Sequence, residues 1–166
     1  MERNQELMAT IRLETFIAAP IERVFNLARS IEVHMAGSEH TGERVVSGRR
    51  SGLIEVGDTV TWEARHLGVK QMLTSEVVKV IPNELFEDIM LKGAFASMRH
   101  THLFTEVSGG TLMVDKFHFT APLGLLGRLA ECLFLTAYMR RYLWRKNAKL
   151  KELAESSDWR EWLEGD

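Results

Sequence analysis

The sequence predicts an α+β domain in which a curved, seven-stranded antiparallel sheet wraps around one long C-terminal helix, with two short helices after the first strand. Three observations carry this. From Glu43 to Thr120 apolar and polar residues alternate with period two, as they do along half-buried strands. Turn residues at Gly57-Asp58, Gly68, Pro82-Asn83, Gly93 and Gly109-Gly110 punctuate that stretch at short intervals, which makes neighbouring strands antiparallel. The last proline is Pro122, and the run beyond it repeats apolar residues at three- and four-residue steps: Leu125, Leu129, Cys132, Leu133, Thr136, Met139, Leu143, Leu150 and Leu153.

Composition fits one ordinary domain. The chain has 166 residues, 45% of them hydrophobic and 27% charged, with a formal net charge of -2. That balance excludes disorder and gives no basic footprint for nucleic acid. The single cysteine, Cys132, cannot form an intrachain disulfide, and it points to a reducing compartment. Residues 1–10 form a polar lead-in without the apolar stretch of a signal peptide, and no window reaches the ~20 apolar residues of a membrane span. A cytoplasmic protein without an integral membrane span is expected.

In chain order, residues 11–18 read as a strand, and Pro20 is placed at the start of a helix over residues 21–30 with Val24, Phe25 and Leu27 on its apolar face. Residues 31–39 hold one or two further turns, broken at Gly37 and carrying His34. Six strands follow, at residues 44–48, 59–66, 69–81, 85–91, 96–107 and 111–120. The helix then spans residues 123–155, roughly 45 Å at ~1.5 Å per residue. Asp158 and Glu161 have capping-box spacing, so residues 156–166 are expected to end in a short amphipathic helix bearing Trp159 and Trp162.

Strand parity selects the inner face. Trp62, Ala64 and His66 alternate with Glu63 and Arg65, and a tight Leu67-Gly68 turn places Gln71 opposite Ala64, facing inward. On the next hairpin Met98, His100, His102 and Phe104 share the inner face. A Gly109-Gly110 turn would set Phe104 opposite Asp115 and His102 opposite Phe117, leaving Asp115 diagonal to His102. Glu63, Arg65 and Arg99 fall outside.

This order of elements resembles the helix-grip fold of the START-like superfamily, which includes polyketide cyclases and lipid-transfer proteins. The resemblance covers residues 11–155 and rests on Ala19-Pro20-Ile21-Glu22-Arg23-Val24-Phe25, on Gly57-Asp58-Thr59-Val60-Thr61-Trp62-Glu63-Ala64-Arg65-His66, on His100-x-His102-x-Phe104 and on Ala121-Pro122-Leu123-Gly124 before the helix. It implies a cavity between sheet and helix that receives an apolar small molecule. The inward set fits on its own terms. Trp62, Met98, Phe104, Phe117, Met139 and Leu143 supply apolar walls, while His66, Gln71, His100, His102 and Asp115 supply polar groups that fix orientation; the resemblance adds His34 near the cavity mouth, with an exposed histidine on a turn as the alternative. A filled core of the same residues is the alternative.

Three functions compete at this stage. The first is binding of a hydrophobic small molecule such as a lipid, polyketide or isoprenoid. The second is polyketide cyclisation or dehydration, with His100 or His102 and Asp115 as the acid-base pair. In it Asp115 would favour a protonated ring, although the same groups can merely satisfy one another. The third is an interaction module that uses the apolar first half of the long helix, with Leu126, Phe134, Leu135 and Tyr138, as a homodimer surface, together with the Trp159-Trp162 tail. His-x-His with a third histidine and an acid also suits zinc or iron, but the family seldom holds a metal, and none is expected. No Gly-rich phosphate loop or Gly-x-Ser-x-Gly elbow appears, so no cofactor is expected. Arg140, Arg141, Arg145, Lys146, Lys149 and Lys151 read as a cationic, solvated band on the second half of the helix.

Overall fold

The computed structural model describes residues 8–121, 129 and 134–163. Strand β1 (Ala9–Ile17) leads to helices α1 (Ile21–Arg29) and α2 (Ile31–Gly37) and a 3-10 turn at Glu39–Thr41. Strands β2 (Arg44–Gly48), β3 (Thr59–His66), β4 (Val69–Ile81), β5 (Leu85–Lys92), β6 (Ser97–Val107) and β7 (Gly110–Thr120) follow, then helix α3 (Thr136–Glu155) and a 3-10 turn at Trp159–Trp162. All seven strands form one antiparallel sheet in the order β1-β7-β6-β5-β4-β3-β2. The expected α+β architecture of a curved sheet around a C-terminal helix is what forms. Of the helix predicted over residues 123–155, the portion before Thr136 lies largely outside the described residues, as does Cys132.

Local sequence explains the joints. Ser30 ends α1 and caps α2, its hydroxyl accepting from Val33 N–H. Gly37 closes α2 against α3, where a Cβ would lie 3.1 Å from Lys146 Cα. Leu67 and Gly68 both take positive φ, 53° and 79°, and make the tight turn that puts Trp62 opposite Leu73 and Ala64 opposite Gln71. Register irregularities in β4 between Thr74 and Ser75 and between Val77 and Lys79 add the bends a wrapping sheet needs.

The β6-β7 register differs from the one predicted. Ser108 and Gly109 form the turn, and Gly110 begins β7 opposite Val107. Phe104 therefore pairs with Met113, His102 with Asp115 and His100 with Phe117. The reason is Gly110 itself, where a Cβ would sit 2.2 Å from the Ile17 carbonyl oxygen. Its lack of a side chain serves the close approach of β1 rather than the turn. A shift of two residues keeps the parity, so the inner face is unchanged while Asp115 moves from diagonal to directly across from His102.

Apolar packing falls into three groups. Phe25 on α1 meets Phe86 and Phe104 edge-on, with Leu150 and Leu153 of α3 closing this end. Ile11, Phe117, Phe119, Met139 and Leu143 form the second group, and Ile31, Val60 and Trp62 the third. The C-terminal tail adds to the first: Trp159, Trp162 and Leu163 pack against it, Arg23 lies 4.3 Å from the Trp159 ring centre, and Ser30 Oγ donates to the Trp162 carbonyl. The tail thus docks on its own chain as a 3-10 turn. Asp158 makes no side-chain cap, so the expected capping box does not form.

Candidate functional site

Between the three apolar groups lies a cavity of about 320 Å³ under α3. Its outer part is marked by the exposed Leu67, Met72 and Ala94 and the half-buried Phe95 and Tyr138. Deeper walls come from Trp62 and Gln71 on one side, Met98 and Phe117 on the other, and Met139 and Leu143 on α3. His34, His66, His100 and His102 all reach it. Of the residues expected to line a site, Phe104 and Asp115 do not. Phe104 is held in the core by Phe25 and Phe86, and Asp115 is buried behind the two β6 histidines.

Those histidines are fixed by Asp115. His100 Nε2 lies 3.0 Å from Asp115 Oδ1, and His102 Nδ1 lies 2.7 Å from the same oxygen. Asn147 of α3 donates to Oδ2 at 2.5 Å. Burial alone would raise the Asp115 carboxyl, but the His102 charge and the hydrogen bonds of both rings hold it well below the usual carboxylate range. The His100 imidazole is lowered, by burial first and by neighbouring His102 second, against the pull of Asp115. Asp115 thus favours the protonated His100 ring as expected, but burial and His102 outweigh it. Phe86 stacks on His102 with ring centres 4.1 Å apart. Beside these rings Asp88 faces the cavity from β5, its carboxyl pushed up by burial.

His66 does not join that group. Its Nδ1 is 2.8 Å from the Tyr138 hydroxyl, nearer the cavity's outer part. His34 belongs to a second polar group, stacked on Trp62 with ring centres 3.9 Å apart. Lys146 Nζ lies 2.6 Å from His34 Nε2, and Glu43 Oε1 lies 2.7 Å from His34 Nε2 and 3.8 Å from Lys146 Nζ, though not aligned for a hydrogen bond with either. Tyr142 OH donates to Glu43 Oε2 at 2.8 Å and lies 3.1 Å from Ser38 Oγ. Burial and the Lys146 charge bring the His34 imidazole down to about 4. For Glu43, burial raises and the Lys146 ammonium and His34 lower, leaving the carboxyl well below its ordinary value. Burial lowers Lys146, against Glu43.

Sequence reasoning missed Glu43, Asp88, Lys146 and Asn147. The charge pattern places Lys146 in the solvated band, but the stripe Met139, Leu143, Leu150, Leu153 has its missing turn at residues 146–147, so both side chains enter the cavity wall. Asp88 shares the parity of Phe86 and Met90 on β5, a signal of the same kind.

Sequence comparison decides the family. The polyketide cyclase / dehydrase and lipid transport family matches residues 8–155. The chain belongs to that family. No curated protein matches it by sequence. Among solved structures, the protein TTHA0849 from Thermus thermophilus is 23% identical, with a TM-score of 0.73 over 90% of this chain and 100% of that one. The Zhui aromatase/cyclase from Streptomyces sp. R1128 is 14% identical, with a TM-score of 0.71 over 89% and 94%. Major latex-like protein 151 from Panax ginseng is 13% identical, with a TM-score of 0.68 over 90% and 99%. Such likenesses show that the helix-grip architecture is shared. Among the described residues, no helix is long and apolar enough to cross a membrane.

Proposed function

We propose that the protein binds a hydrophobic small molecule, such as a lipid, polyketide or isoprenoid, in the cavity between sheet and α3. The observation that carries this is the cavity itself. About 320 Å³ of space bounded by aromatic, aliphatic and methionine side chains remains where a filled core was the alternative. Small-molecule pockets occupy roughly 300–1,000 Å³ and combine apolar walls with few polar groups. Polar groups of His34, Lys146, Asp88, His100 and His102 also line the cavity. An apolar body bearing one or two oxygens matches that mixed lining. The family's lipid-transport and cyclase members support the reading.

Displacement of a bound fluorescent apolar dye by fatty acids, isoprenoid alcohols and polycyclic phenols tests it. Competition by at least one class, lost in Ala64→Phe, is expected; failure of the dye and of every class to bind would overturn it.

A second reading, cyclisation or dehydration of a polyketide at the same place, is favoured by one feature. Asp115 holds two imidazoles at the cavity wall, where they can reach a bound carbonyl's α-proton. His100→Gln would then abolish turnover of an enolisable polyketide while dye binding persists, and unchanged turnover removes the role.

A further inference from the structure

Three adjacent strands bring acceptor atoms to one point of the cavity wall. His100 and His102 stand two residues apart on β6 and so leave the same face. Asp88 on β5 is directly across from His100, and Asp115 on β7 is directly across from His102. One nitrogen of each ring and a carboxylate oxygen of Asp88 lie within 4.8 Å of one another. Among the described residues no other side chain hydrogen-bonds the Asp88 carboxylate. His102 Nε2 stands 4.0 Å from its Oδ1, too far for a hydrogen bond and wide enough to admit an ion between them.

Asp115 prepares the rings for this. His100 donates from Nε2 to Oδ1 at 3.0 Å, and His102 Nδ1 approaches the same oxygen to 2.7 Å, a distance two acceptors do not keep. As neutral rings, both therefore carry their proton on the Asp115 side, leaving lone pairs on His100 Nδ1 and His102 Nε2. Asn147 fixes the far oxygen of Asp115 in turn. A carboxylate that orients an imidazole from behind is the usual outer partner of a ligating histidine. Glu43, Asp88 and Asp115 share this interior with one ammonium, Lys146, which sits beside Glu43.

We propose that Asp88, His100 and His102 bind a divalent transition-metal ion at the cavity wall. Two imidazoles and one carboxylate suit zinc, iron(II) or cobalt(II), and three protein ligands leave a coordination position open to the cavity. A ligand oxygen arriving there would be polarised by the ion. The site goes beyond the binding of an apolar molecule and stands without it, since its ligand atoms all come from side chains of two neighbouring strands.

The test is titration of the full chain, stripped with a chelator, with Co²⁺, read by visible absorption and by metal content after equilibrium dialysis. One equivalent is expected, with nitrogen and oxygen ligation in the spectrum. Asp88→Asn and His102→Gln should each weaken binding by ~100-fold or more, and Asp115→Asn by ~10–100-fold as an outer partner. His118→Gln is the control, because His118 lies outside the cavity near Thr10 Oγ1. Should a variant fail to fold, Zn²⁺ added to the unaltered protein must shift the NMR signals of the His100 and His102 rings and not that of His118. Substoichiometric uptake, or binding that survives Asp88→Asn and His102→Gln, would overturn the proposal. Dye binding by the stripped protein is measured separately, so failure of the metal site is distinguishable from failure of the ligand cavity.

Discussion

Replacing Lys146 by methionine keeps the length of the side chain and removes its charge from the cavity wall. In the folded protein the Lys146 side chain is 16% exposed and that of its partner Glu43 only 7%, so both charges are largely out of water. Removing one member of a buried pair leaves the other uncompensated, at a cost of ~3–5 kcal/mol. The separation of 3.8 Å and the hydrogen bond from Tyr142 to Glu43 place this case near ~3 kcal/mol, the low end of that range. For a chain of this size each kcal/mol lowers Tm by ~2–4 °C, so a fall of ~6–12 °C is expected.

The sign with pH follows from Glu43. Its folded carboxyl is held below its ordinary 4.5, so in the unaltered protein the pair stabilises above that pH and the contribution is lost as pH falls. Without Lys146, only His34 and the Tyr142 hydroxyl remain to offset burial, so the Glu43 carboxyl rises from its low folded value. The deficit of Lys146→Met should therefore be largest at neutral pH and narrow toward pH ~4, near the ordinary carboxylate value. Glu43→Gln added to Lys146→Met should restore most of the loss, because no charge is left unpaired. Denaturant unfolding of the single and double variants reads all of this. A Lys146→Met protein within ~0.5 kcal/mol of the original at neutral pH, as a solvated surface lysine would give, refutes the inward placement.

Three further outcomes are expected. Ala64→Phe fills space at a buried cavity-lining position, so dye affinity should fall by more than ~10-fold while Tm stays level or rises, checked by fluorescence titration and calorimetry. Gly110→Ala places a Cβ against the Ile17 carbonyl and should cost upward of ~2 kcal/mol, whereas Gly109→Ala, strained only by its φ of 82°, should cost about 1 kcal/mol; equal losses in denaturant unfolding would contradict the assigned turn. His34, ordinarily near 6.5 and down to about 4 when folded, binds its proton more readily in the unfolded chain. Stability should therefore decline as pH drops from 6.5 toward 4, and His34→Gln should flatten that part of the profile.

The fold was legible because period-two parity and turn chemistry act locally. Alternation and one tight turn assign Trp62, Ala64, His66 and Gln71 to the inner face, and the structure puts all four on the cavity wall. The β6-β7 register was not legible, since two adjacent glycines offer two turns and only the distant approach of Ile17 chooses between them. Lys146, Asn147, Asp88 and Glu43 escaped for a different reason. Charged and amide side chains are ordinarily assigned to solvent, and their inward direction is fixed by partners far along the chain, such as His34 for Lys146 and Asp115 for Asn147. Period alone held the clue at residues 146–147, where the apolar stripe of α3 is interrupted by polar residues that still face inward.

Native mass spectrometry of protein isolated from its own host tests the cavity most directly. The expected spectrum carries an added mass that disappears in organic solvent, corresponds to an apolar, oxygen-bearing molecule, and is missing from Ala64→Phe. A spectrum showing only the bare polypeptide, from a protein that also takes up no dye, fatty acid, isoprenoid or polycyclic phenol, would contradict a binding role for the space beneath α3.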